Sequence, residues 1–215
     1  MANLPEILGS IVEGAEWLKT GGISAGRAAL AAYLKSRSAA AREILFEEVR
    51  TSGKLPEQVV AHDDGIAVIH GYMRAAWEGR ARVNLRLLAK AITGQLQTGT
   101  LVADEFYLYA EALAGLSRDE IILIAALHRH HSKLPNVPED QMGEREKQAP
   151  WLATVEELQG NGWSADKISA VAGRCQRSGL VIAKSAWDDL AYKASPMLGD
   201  LCKTVDFDDA LRREA

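Results

Sequence analysis

The chain is poor in cysteine and aromatic residues: it has two cysteines, Cys175 and Cys202, and aromatics make up 6% of its 215 residues. Two thiols without a CxxC spacing exclude a disulfide scaffold and a thiolate metal centre, and both read as reduced groups that fill a core. Long apolar runs are missing too. The longest windows, Ile23–Leu34 and Ile121–Leu127, fall short of the roughly 20 residues that a membrane-spanning helix needs. Met1-Ala2-Asn3 offers no basic leader, and Glu6 and Glu13 interrupt the apolar run that follows. Charge of one sign is scarce, with a formal net charge of −4 that excludes a strongly basic coat but allows a local basic face. Dinucleotide fingerprints, HExxH and calcium loops are absent. The expectation is a soluble, cytoplasmic protein with no cofactor, no metal and no stable membrane insertion.

What the chain has is alanine, leucine and helical spacing. Apolar residues make up 47% and charged residues 25%, the balance of a globular protein long enough to bury a core. Few β-branched clusters interrupt the helix formers, so the expected fold is mainly α. In residues 1–52 six basic and six acidic residues balance, and Ile11, Val12, Trp17, Leu30, Tyr33, Leu34, Ile44, Leu45 and Val49 recur at helical intervals. Gly21-Gly22 divides a first helix from a second, and Pro56 opens the next segment. Residues 57–97 read as one long helix or two in tandem, with Gly65, Gly71 and Gly79 as weak points. Its second half carries an apolar stripe of Val83, Leu87, Leu88, Ala91 and Ile92. A shorter helix follows over 103–116. Residues 1–116 therefore predict a helical array suited to homodimerisation.

Ser117-Arg118-Asp119-Glu120 has capping-box spacing and opens a helix to His131 whose seven apolar residues, Ile121 to Leu127, require burial nearly all round. A strand over Ile121–Ile124 is the alternative. The stretch 132–150 is polar, holds three prolines, and reads as a loop. Then come a helix at Trp151–Gln159, a Gly160-Asn161-Gly162 turn, a helix at 165–178 capped by Ser164 and stopped by Gly179, strand-like runs at Leu180–Ala183 and Leu190–Lys193, and a helix opened by Ser195-Pro196.

The passage Arg174–Val181 followed by Tyr192–Leu201 resembles the winged helix-turn-helix family. In that family a helix ends in Ser-Gly-Leu, a wing follows, and the chain meets a Ser/Thr-Pro-x-Leu-Gly turn, here Ser195-Pro196-Met197-Leu198-Gly199. The resemblance covers about residues 117–205 and implies a module over 117–215, with the polar loop 132–150 inside it, that binds duplex DNA. Helix 165–178 would enter a major groove, with Lys167, Arg174, Gln176 and Arg177 as donors to phosphates and base edges and Lys184 on the wing. Two features depart from the pattern: the long loop, and Asp188-Asp189 on the wing. Across 117–193 ten basic residues face eleven acidic ones, which favours a second reading, a non-catalytic protein-interaction or structural module.

Other candidates are weaker. Arg82, Arg86 and Lys90 form a possible secondary basic face, or a solvated one in which Glu78 pairs Arg74 and Arg82. His128 and His131 have i,i+3 metal-ligand spacing but no third ligand nearby, and histidines at a helix C-terminus also suit its dipole. Gly22-Ile23-Ser24-Ala25-Gly26 matches a nucleophile elbow only as a string, because no buried strand precedes it. With no nucleophile, base and orienting group assembled, no enzymatic activity is expected.

Overall fold

A computed structural model describes residues 25–54, 58–59, 61, 63–99, 101–134, 142–185 and 190–215. The Gly21-Gly22 division, the elbow-like string, Pro56, His62, much of the loop after Leu134 and the tip of the hairpin lie outside the described residues. The described residues are mainly helical, with one small two-stranded antiparallel sheet among them, and the chain divides into two compact units, residues 1–114 and 115–215.

The first unit contains α1 (Ala25–Thr51), α2 (Gly65–Trp77), α3 (Arg82–Thr98) and α4 (Ala103–Ala114). Helix α3 packs against the other three, and its stripe of Val83, Leu87, Leu88, Ala91 and Ile92 is buried with Leu85. Facing it are Ile44, Leu45 and Val49 of α1, Val68, Ile69, Tyr72 and Met73 of α2, and Phe106 and Leu113 of α4. Each such side chain contributes about 1.5–3 kcal/mol of transfer free energy. The apolar pattern of α1 is buried only in its second half, since Leu30 and Tyr33 are exposed.

Of the three weak glycines, Gly65 starts α2, Gly71 lies within it and Gly79 ends it. Gly79 takes φ +82°, and the Gly79 and Arg80 amides bond back to the carbonyls of Ala76 and Ala75 at 3.1 and 3.2 Å, closing α2. Gly65 follows a turn at Asp63-Asp64, which separates α2 from the residues before it. Arg37 crosses from α1 to donate to the carbonyls of Ala76 and Arg80.

The second unit is built around α5 (Arg118–His131), which contacts α6 (Glu144–Gly160), α7 (Ala165–Cys175), the hairpin and the C-terminal α9 (Phe207–Arg213). Ser117 and Glu120 close the capping box in both directions, which settles Ile121–Ile124 as helix. Helix α6 starts seven residues earlier than the sequence suggests, so 144–150 of the expected loop is helical. Pro150 lies inside it, and its carbonyl accepts from the Thr154 hydroxyl at 2.7 Å.

The tight turn Asn161–Ser164, with Gly162 at φ +83°, redirects the chain into α7, whose first turn Ser164 caps. A 3-10 turn at Gln176–Ser178 extends α7, and Gly179 at φ +72° ends it. Strands β1 (Val181–Ser185) and β2 (Leu190–Ala194) then pair in the register Val181↔Ala194 to Ser185↔Leu190. Tyr192 of β2 lies 4.9 Å, centroid to centroid, from Trp151, which fixes the sheet on α6. Ser195 caps the short α8 (Pro196–Leu201) in the expected Ser-Pro order.

Candidate functional site

The residues that sequence reasoning places on a recognition helix do lie on the outer side of α7 and its 3-10 extension, because Ile168, Val171, Ala172 and Cys175 occupy the inner side. Each of the three cations there has an acidic neighbour on α5. Lys167 Nζ is 3.0 Å from Asp119 Oδ2 and 3.9 Å from the centroid of the Trp163 ring. Arg174 Nη2 lies 3.3 Å from Glu120 Oε2, and Arg177 Nη2 lies 3.2 Å from Glu120 Oε1. Gln176 is exposed and turned to the Gly173 carbonyl at 3.5 Å. Lys184 stands half-buried on β1, one strand away from this group.

Glu120 is the residue that sequence reasoning underused. Its place in the capping box was legible; its second task was not. The side chain is 0% exposed, while those of Arg174 and Arg177 remain 56% and 67% exposed. Besides the two arginines, the carboxylate accepts from the Ser117 amide at 2.8 Å and the Ser117 hydroxyl at 2.6 Å. Burial alone would raise its pKa, but the Ser117 hydrogen bonds and the Arg174 and Arg177 guanidiniums outweigh it and hold the carboxyl below its usual value.

The secondary basic stripe does not form one exposed face. Arg82 is exposed, but Arg86 is 3% exposed, donating from Nη1 to Glu48 at 2.6 Å and to Glu47 at 2.9 Å. Lys90, 13% exposed, reaches Glu48 at 3.3 Å. The physical reason is that α3 is central, so a four-residue charge repeat on it points at α1 rather than at water. Glu78 pairs with Arg74 at 2.8 Å as expected, and with Arg80 at 3.4 Å.

The histidines at the end of α5 enter an ionic cluster. His130 Nε2 is 2.8 Å from Glu157 Oε2, and Arg129 bridges Glu157 of α6 to Asp208 of α9. Burial, then the neighbouring His131, push His128 below the usual imidazole range. Among the described residues no three of His, Cys, Asp or Glu gather as a metal site. Burial pushes both thiols up to about 12, so Cys175 and Cys202 are protonated at neutral pH and lack thiolate character. No helix of the described residues is long and apolar enough to cross a membrane.

Comparison with family models, with curated proteins and with solved structures finds no match.

Proposed function

We propose that the second unit is a winged-helix-like binding module, without catalysis of its own, that meets duplex DNA through the outer side of α7. The single observation that carries this reading is the chain order α5, α6, tight turn, α7, hairpin, with Arg174 and Arg177 held on the side of α7 away from its core. In this arrangement the hairpin is the wing, and Lys184 contributes from β1. The cations supply the sequence-independent part of the affinity.

A second reading, binding of a protein partner, draws on a different observation. Lys167, Arg174 and Arg177 already face carboxylates, and apolar Leu152, Ile182 and Leu190 of the same unit are exposed. Fluorescence anisotropy with random-sequence duplex DNA at low and moderate salt separates the two. Binding that weakens steeply with salt is the expected result. No binding at either salt overturns the DNA reading and leaves the protein partner.

A further inference from the structure

We infer that Glu120 is a positioning residue that turns Arg174 and Arg177 into a clamp for phosphate oxygens, an inference that rests on the binding function proposed above. One carboxylate oxygen holds each guanidinium: Oε2 takes Arg174 and Oε1 takes Arg177, through Nη2 in both cases. The carboxylate is fully buried and held by two hydrogen bonds from Ser117 at the first turn of α5. Arg177 is restrained further by its Nε, which donates to the Arg174 carbonyl at 3.2 Å. Each guanidinium thus has one corner tied down while most of its side chain stays in water.

Glu120 takes one N–H of each Nη2, which leaves both N–H groups of Nη1 and the second N–H of Nη2 as donors to phosphate oxygens. Tethering also sets the reach. An arginine folded back onto a buried carboxylate cannot extend to the floor of a major groove, so these two contact the backbone and leave base reading to other groups. The ligand class is a phosphodiester or polyphosphate, bound without sequence preference by this pair. Glu120 lowers the local charge, so the clamp acts by prearranged geometry at short range rather than by a strong field.

The test follows arginine side-chain nitrogen resonances of the full-length protein during titration with inorganic pyrophosphate and, separately, a short random-sequence duplex. Both probes are expected to shift Arg174 and Arg177. The Arg174→Ala/Arg177→Ala variant should lower the salt slope of duplex binding by about 1.8, so that affinity falls about twelvefold less between 50 and 200 mM salt. Glu120→Asp keeps the charge but withdraws the carboxylate by one methylene; it should weaken both shifts. Glu120→Gln raises the net charge yet should bind more weakly than wild type, whereas a purely electrostatic role predicts tighter binding. Urea midpoints check that these variants fold; should they not, Arg174→Lys/Arg177→Lys keeps charge while losing the fork and should lose the pyrophosphate shift.

Pyrophosphate shifts without duplex binding would support the clamp and overturn the duplex reading. Duplex binding that leaves both resonances and the salt slope of the alanine variant unchanged would overturn the clamp and leave duplex binding standing, but through a surface other than these two arginines. Silence with both probes overturns both. Glu120→Asp or Glu120→Gln behaving against the stated direction confines Glu120 to capping.

Discussion

Replacing Arg86 by methionine should be among the most damaging single changes available in the first unit. Arg86 is 3% exposed and so is its partner Glu48, 2.6 Å away, while Glu47 is 45% exposed. The exposed pair contributes about 0–1 kcal/mol, so the buried one decides the outcome. Methionine fills much of the volume but leaves the Glu48 carboxylate facing mainly Lys90 at 3.3 Å. Removing one member of a buried pair costs about 3–5 kcal/mol, because the remaining charge keeps its desolvation penalty and loses its nearest counter-charge. With a urea m-value of about 2 kcal/mol per molar, the midpoint should fall by about 1.5–2.5 M.

The assay is urea denaturation followed by circular dichroism, with hydrogen exchange of the α1 and α3 amides to place the loss in the first unit. The companion variant Arg86→Met/Glu48→Leu removes both charges and should recover a large part of the loss, as apolar replacement of buried pairs often does. A loss below about 1 kcal/mol for Arg86→Met, or a double variant no better than the single, would refute the assignment of Arg86 as the counter-charge of Glu48.

Acid should weaken the second unit in two steps of the same sign. Burial lowers the folded pKa of His128, so the unfolded chain takes up its proton first, and this contribution is present above about pH 6.5 and is lost as pH falls from there through the lowered folded value. Glu120 and Glu157, both lowered by their hydrogen bonds and cations despite burial, hold their contribution above about pH 4.3 and lose it as pH falls through their folded values. His128→Gln should erase the upper step alone; wild-type urea midpoints that rise between pH 7.5 and 5.5 would contradict the sign. Gly179→Ala should cost about 1–2 kcal/mol for a left-handed residue. Its Cβ would also stand 3.0 Å from Met197 Cε, and an unchanged thermal midpoint would show that this turn rearranges freely.

Local rules made the second unit legible. Ser117, Ser164 and Ser195 each cap the helix assigned to them, because side-chain caps act within three residues and need no tertiary partner. Gly179 stops α7 for the same reason. The start of α6 was missed where composition conflicts with structure: Glu144–Gln148 is polar and precedes Pro150, yet Gly143 and Glu146 open a helix there. A proline seven residues into a helix is a stop signal to sequence reasoning, because it lies past the four donor-free first positions and gives up the bond to the carbonyl four residues before it; here the helix runs through Pro150 all the same. Sequence marks Gly65, Gly71 and Gly79 alike; in the structure only Gly79 of the three takes a positive φ, while Gly71 stays helical under the rings of Phe106 and Tyr107 from a helix some thirty-five residues away.

The two charge patterns that drew functional suspicion are built alike and end differently. Arg82, Arg86 and Lys90 on α3, and Lys167, Arg174 and Arg177 on α7 with its extension, both place cations at one-to-two-turn spacing, and both meet a carboxylate pair on another helix, Glu47-Glu48 or Asp119-Glu120. Spacing on the helix surface is therefore not what makes a basic face. What differs is which partner is buried. Around Arg86 both cation and anion are withdrawn from water, and the charges are consumed in holding α1 to α3. Around Glu120 only the anion is withdrawn, and the cations remain more than half exposed with donors to spare. A buried anion beneath exposed guanidiniums restricts their rotamers before any ligand arrives, which reduces the ordering cost of binding. The proposed binding of an anionic partner by α7 rests on that asymmetry rather than on the net charge of either unit.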